Sequence, residues 1–564
     1  MIEANKVHKS GINKRPASQV MRLKRMGCFH QSRLSFMRVL LRRLKRESWS
    51  FERPAFEIDE KGVGYATYSV TGPKRTYTLI AFAHDLPAEL RSDRVIAEAW
   101  DATFTLFDGV PTRDDIERLS KNVPLQEAGR ISEKEISLSR ANRSVRLFEY
   151  VTDCLSRGIQ PETSEIEKVG YLMRTTAVYG SSKFGACDRE NWANREEFSG
   201  SFQPELLAVW LIRTFAIDIV EHMAKMRGGE NAVRLEADIR RRFGVGNSTG
   251  LGMAPFLINH PALIDSWING RETALGIVCE LERATRHEIS KFKELVERAS
   301  LNADQWTTDH EHQKAKIACL QKDMEKLKTI LESDILEQEK PWQKLLLWGE
   351  DNLGFEGQEQ LVSLMLEPYG HLVDDLSSDM KADETVQFRI RGNEKIADLK
   401  QSLNRVYAWA KDIDFEDSQA NARVWYVSEE KLEPRLGERH EEPIEPYEQP
   451  LAPGRDAKRL MSALETWSDD ETIAAFLMQH AEHRHIVRRV QLASQKDYAE
   501  IRDNTISSTM LPIDLLRCKL SFFGATKFDP RSDRWVRITM YQGAPFPDEL
   551  HALDPDDLAY PPLS

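Results

Sequence analysis

The sequence predicts an α+β protein in which helices dominate, with an N-terminal antiparallel sheet, a central helical body bearing a helical hairpin, and a C-terminal helical unit with a short strand. Three observations carry that prediction. Residues 49–85 alternate apolar and polar side chains in the strand manner, interrupted by the turn-forming stretches Asp59-Glu-Lys-Gly62 and Thr71-Gly-Pro-Lys74, as paired strands do. Residues 205–221 are apolar almost all round, the pattern of a buried central helix. The chain has 564 residues, 41% hydrophobic and 30% charged, the balance of a water-soluble globular protein. At about 100–200 residues per domain it has room for several.

Residues 1–48 are strongly basic, with 13 Lys and Arg against two Glu over 1–47, and read as a solvated N-terminal tail. Residues 49–277 hold the sheet and the helical body, including a Gly-rich loop at 244–252. In 278–350, two heptad-like stripes (Ile289, Phe292, Val296, Ala299 and Ile317, Leu320, Met324, Leu327, Leu331) predict an antiparallel helical hairpin. Its outer face is a candidate surface for self-association into a homo-oligomer. Residues 351–435 are mixed α/β. Residues 436–455 hold Pro443, Pro446, Pro450 and Pro453, which bars a continuous helix and predicts an extended connection. Residues 456–564 form the C-terminal helical unit, with a strand near 535–541.

Charge and cysteine content narrow the function. With 78 Lys and Arg against 90 Asp and Glu, the formal charge is −12, which excludes a surface that coats nucleic acid and leaves only the basic arm as a local contact. Six cysteines (28, 154, 187, 279, 319 and 518) are scattered without a C-x-x-C pair, which predicts a reducing, cytoplasmic setting. The longest apolar run, 206–212, is far short of the roughly 20 residues that span a membrane. P-loop, H-E-x-x-H and EF-hand spacings are missing from the chain, and the His480, His483, His485 cluster cannot place all three rings on one helical face, so no metal site is expected.

One local pattern occurs twice. Tyr179-Gly180-Ser181-Ser182-Lys183-Phe184 precedes Trp192, and Phe523-Gly524-Ala525-Thr526-Lys527-Phe528 precedes Trp535. Each copy follows a Leu-x-Arg element ending at Arg174 or Arg517. A glycine beside hydroxyls and a lysine lets amides, Oγ atoms and an ammonium converge on one anion. The alternative is structural: Gly ends a helix, Lys is solvated, and Phe and Trp anchor the core. Around the copies, Arg174, Arg531 and Arg534 are candidate anion clamps, Asp188 a candidate base, and Cys187, beside Arg189 and Lys183, a candidate thiol nucleophile.

The second motif is Gly244-Val-Gly246-Asn247-Ser248-Thr249-Gly250-Leu-Gly252, read as a flexible loop whose amides cradle a phosphate. His260, just beyond it, is a further acid/base candidate. Tyr179-x-x-x-Lys183 resembles the catalytic pair of the short-chain dehydrogenase/reductase family, and Gly246-x-x-x-Gly250-x-Gly252 resembles that family's nucleotide loop. The resemblance implies Tyr179 as proton donor and Lys183 as the group that lowers its pKa and holds a ribose. In that family the loop follows the first strand and precedes the Tyr, whereas here it follows the charged run 234–243. Gly246-Asn-Ser248-Thr-Gly250 also resembles the nucleophile elbow of α/β-hydrolases, which implies a reactive Ser248.

The leading expectation is therefore an enzyme, oxidoreductase or lyase, that binds a small anionic metabolite or a phosphate-bearing cofactor between the two Gly-hydroxyl-Lys elements and the Gly-rich loop. The sequence names no particular cofactor. The competing expectation is a non-catalytic helical scaffold that docks partners through its basic arm and hairpin.

Overall fold

A computed structural model describes residues 11–22, 25–87, 89, 99–123, 132–175, 185–186, 192, 194–250, 260–306, 311–380, 389–415, 424–427, 435–437, 449–450, 453–502, 519–525, 527–530 and 535–556. The chain divides into two compact units. The sheet unit comprises Phe29–Gly250, Glu297–Ile317 and Lys519–Ser564; the helical unit comprises Met1–Cys28, Leu251–Val296 and Ala318–Cys518. The class is α+β with helices in the majority, and no described helix is long and apolar enough to cross a membrane.

Among the described residues, the sheet unit is built on ten strands. Strands β1 (Ser50–Ile58), β2 (Gly64–Thr71), β3 (Thr76–Ala83), β4 (Ala102–Asp108) and β5 (Glu135–Arg143) form an antiparallel meander. β6 (Tyr171–Thr175) and the short β7 (Gly185–Ala186) both pair with β5. The sheet continues through β8 (Gly244–Gly250), and of the two last strands of the chain, β12 (Lys527–Pro530) and β13 (Trp535–Met540), β13 pairs with β8 and β12 closes the order. The predicted turns hold. Asp59 Oδ1 accepts from the N–H of Lys61 and of Val63 (both 2.9 Å), and Gly62 takes a positive φ of 80°. Strands β4 to β7 lie beyond the alternating stretch, in the part of 49–277 expected to be helical body. Thr103 and Thr105 of β4 are buried along with Phe104 and Leu106, so burial of both faces erases the polar alternation that marks a half-exposed strand.

Two helices of this unit meet near their N-termini. Helix α1 (Phe36–Arg46) buries Phe36, Met37, Leu40, Leu41 and Leu44. Helix α2 (Gln203–Gly228) is the predicted buried helix, extended at both ends. Its Arg213 is fully buried and donates to the carbonyls of Phe243 (2.6 Å), Ala544 (2.7 Å) and Arg241 (3.2 Å), with its guanidinium 3.8 Å from the Phe546 ring centroid. Burial holds its pKa well below the usual arginine value.

Helix α3 (Pro261–Cys279), in the helical unit, is buried along most of its length, and α4 (Arg286–Asp304) and α5 (Glu311–Ile330) carry the two predicted apolar stripes, with residues 297–304 and 311–317 belonging to the sheet unit. Phe292 of the α4 stripe packs edge-on to Trp342 (4.9 Å between centroids) at the start of α6 (Pro341–Asn352). Asp323 of α5 accepts the Gly354 N–H (2.8 Å) just before α7 (Phe355–Met365). A separate core joins α8 (Ile396–Val406), α9 (Pro453–Leu464), α10 (Ile473–Gln479) and α11 (Arg484–Ala493) through Leu399, Leu403, Leu460, Phe476 and Val487. The Pro-rich connection contributes strands β10 (Arg435–Gly437) and β11 (Gln449–Pro450), which flank β9 (Val424–Val427).

Two expected boundaries are corrected. The described residues of the basic N-terminal segment are not a solvated tail. Arg15 donates to Glu272 (2.9 Å) and Glu359 (3.0 Å), Arg25 to Glu359 (3.2 Å), and Arg271 joins the same group, all of them buried. Burial pushes the Glu359 carboxyl up, but the pull of Arg15 and Arg271, with Arg25, outweighs it and holds the pKa at about 2. Nor is there a C-terminal helical unit over 456–564, because β12 and β13 belong to the main sheet while α9 to α11 lie in the helical unit.

Candidate functional site

The sheet holds Arg174, the Gly motif and the Lys527 end of the second element in lanes of one sheet. β6 ends at Thr175, directly before the first Gly-hydroxyl-Lys element. The chain then rejoins β5 at Gly185: Thr175 pairs with Ala141 and Gly185 with Leu138. Residues 176–184, with Tyr179, Ser181, Ser182 and Lys183, and residues 187–191, with Cys187 and Asp188, lie outside the described residues. β8, the Gly motif, runs parallel to β6 in the next lane, with Arg174 beside Gly246. β13 lies antiparallel to β8, and β12, which opens on Lys527 of the second element, lies against β13.

One row therefore crosses the sheet from Asn142 through Arg174, Gly246 and Thr539 to Lys527. At roughly 4.8 Å per lane, the β6 and β12 backbones are about 14 Å apart. β6, β8 and β12 run in the same direction, so Thr175, Gly250 and Pro530 all end toward one edge. The segments that follow the last two, 251–259 and 531–534 with Arg531 and Arg534, also lie outside the described residues.

The Gly motif itself is corrected. Gly244–Gly250 is a strand inside the sheet, not a flexible loop, and its amides face a β13 ladder from Met540 to Trp535. The glycines answer to packing. A Cβ on Gly246 would lie 2.7 Å from the Tyr171 ring, and one on Gly244 would lie 2.3 Å from the Met540 carbonyl oxygen. Asn247 is buried beside Ile538. Ser248 and Thr249 sit within the ladder opposite Arg537 and Val536, whereas a nucleophile elbow requires its serine on a strand-to-helix turn. The largely antiparallel sheet, whose one parallel contact among the described strands is β6 with β8, is not the doubly wound parallel sheet of the dehydrogenase family.

The remaining candidates lie elsewhere. His260 opens α3 in the helical unit, its carbonyl accepting the Ile264 N–H (3.2 Å). His480 and His483 stack on Phe476 (4.9 and 5.8 Å), while His485 Nε2 contacts Asp456 (3.1 Å). Among the described residues no three metal-ligating side chains come together. Trp192, which follows the first element, is buried edge-on to Phe198 (5.7 Å).

A groove of about 460 Å³, which no sequence motif announced, opens between the strand ends and the helix Arg113–Asn122. Glu57, Tyr65, Phe82, His84, Arg113 and Glu117 line it. Burial lowers the His84 pKa, and its Nε2 lies 2.8 Å from Thr103 Oγ1. Its residues come from separate strands and a helix, so only the pairing register could have revealed it.

In comparison with known proteins, the chain matches no protein-family model, no curated sequence and no solved structure.

Proposed function

We propose that the chain is an enzyme that binds a small anionic metabolite, or a cofactor through its phosphate, across the lanes β6, β8, β13 and β12. The observation that supports this reading is the row from Arg174 through Gly246 and Thr539 to Lys527. Arg174, just before the first element, and Lys527 of the second, more than 300 positions apart in sequence, stand in lanes about 14 Å apart, roughly the combined reach of two long cationic side chains. In this reading Arg174, Lys183, Lys527, Arg531 and Arg534 hold the anion, and Ser181 and Ser182 add hydroxyl donors. Tyr179 and Asp188 serve as acid and base. The β8 amides are committed to the ladder, so charge on the ligand is met by side chains rather than by a Gly-rich cradle.

The experiment is native mass spectrometry with an absorbance scan of the full chain, before and after denaturation. A released nucleotide, flavin or phosphate ester that is lost from both Lys183→Ala and Lys527→Ala supports the reading. A ligand whose retention ignores both substitutions refutes it.

A further inference from the structure

The groove beside the helix Arg113–Asn122 lies between two regular faces. On the sheet side, Glu57 of β1 pairs with Tyr65 of β2, and Tyr65 with Phe82 of β3, so the three side chains stand in one row on one face of the sheet. His84, two residues past Phe82, emerges on that same face, where its Nε2 lies 2.8 Å from the Oγ1 of Thr103, the β4 partner of Phe82. On the helix side, Arg113, Ile116, Glu117 and Ser120 follow the i, i+3, i+4, i+7 spacing of a single helical stripe. Tyr65 and Ile116 both pack against the core of Ile80, Phe82 and Leu119, which sets that stripe over that row. The space between them, about 460 Å³, falls within the roughly 300–1,000 Å³ of small-molecule sites.

The two walls carry opposite charge. Glu117 is paired with Lys121 (2.8 Å) and so is neutralised. Among the described residues no cation lies within ion-pair distance of the Glu57 carboxylate, and no carboxylate within that distance of the Arg113 guanidinium. The Glu57 carboxylate beside the Tyr65 phenol, with burial, raises the Tyr65 pKa, while Arg113 pulls it down, so both charges act on one phenol. Burial lowers the pKa of half-buried His84, which is therefore neutral at pH 7 and adds no third charge.

Apolar surface lies between the charges, from Val63, Phe82, Ala83 and Ile116. A ligand that is only an anion meets repulsion from Glu57, and one that is only a cation meets it from Arg113. An uncharged ligand leaves both groups unmatched. A zwitterion with an apolar body matches all three features, since a guanidinium holds a carboxylate and a carboxylate holds an ammonium.

We propose that this groove binds an amino-acid-type zwitterion, with the ligand's carboxylate on Arg113, its ammonium on Glu57 and its apolar side chain over Phe82 and Ile116. The site goes beyond the anion site of the strand lanes. It spans β1 to β3, whereas Arg174 stands on β6, and it holds whether or not those lanes bind an anion.

The test is isothermal titration calorimetry of the full chain with L-leucine, L-phenylalanine and L-leucyl-L-phenylalanine, followed by the C-terminal amide and N-acetyl forms of whichever binds. At least one parent compound is expected to bind saturably at millimolar concentration or below. Amidation removes the carboxylate and acetylation the ammonium, and each is expected to weaken binding about tenfold. Arg113→Met should erase the penalty for the amide and Glu57→Gln the penalty for the acetyl form. Both residues are exposed, so the denaturation midpoint should stay unchanged in each variant. The proposal is overturned if none of the three compounds binds, if the capped forms bind as well as their parents, or if binding survives both substitutions undiminished. It is equally overturned if Lys527→Ala removes the binding, which would assign the zwitterion to the strand lanes.

Discussion

Arg15 and Glu359 show how closely single side chains are matched in the helical unit. Removing one partner of a buried ion pair strands the other charge, so Arg15→Met is expected to cost about 3–5 kcal/mol in chemical denaturation. The pH dependence follows from the depressed carboxyl. A Glu titrating near 4.3 when unfolded and at about 2 when folded contributes stability that is present above the unfolded value. That stability is lost as pH falls through the folded one. The wild-type unfolding free energy should therefore drop between about pH 4.5 and pH 2, with a shallower slope in Arg15→Met. Cys279 tests burial in another way. Desolvation pushes its thiol up to about 12, so at pH 8 it should resist alkylation while exposed Cys319 reacts, as site-resolved mass spectrometry would report. On β8, Gly246→Ala places a methyl against the Tyr171 ring and is expected to cost about 1–3 kcal/mol, recovered in part by Tyr171→Ala. If Gly246→Ala leaves stability unchanged, the packing role of that glycine fails.

Elements differ in how plainly the sequence announced them. β1 to β3 alternate apolar and polar residues between turn-forming stretches, even though β2 and β3 are buried on both faces, and α2 is apolar all round, so both were legible from periodicity. β8 was not. Val245 is the one large apolar side chain in Gly244–Gly250, and its glycines make sense only beside Tyr171 and Met540, which are remote in sequence. The N-terminal segment misled in the opposite sense. Its arginines look solvated until Glu272, Glu359 and Asp556 are brought to them from hundreds of positions away. Of the candidate site, the residue types were legible but their adjacency was not, since strand order is a tertiary fact. The helix Arg113–Asn122 offers a clean check on a single element. Thr112 and Asp115 form a reciprocal capping box, so Thr112→Ala should lower stability by about 1 kcal/mol and leave ligand retention unaltered.

For the whole molecule, the two-unit division cuts across sequence order, with the sheet unit assembled from residues near the start, middle and end of the chain. Such a unit cannot be isolated by trimming at one boundary. Loss of the last strands would leave β8 without its β13 partner and remove Lys527 together with the second element. That topology sets Arg174, just before the first Gly-hydroxyl-Lys element, and Lys527 of the second in one sheet. The most direct measurement is ligand occupancy by native mass spectrometry of the full chain, Lys183→Ala, Lys527→Ala and the double variant, each checked for an unchanged denaturation midpoint. A shared site requires that each single substitution lower occupancy of the same ligand and that the double variant lose it. Occupancy that responds to only one lysine, or to neither, would contradict a shared site.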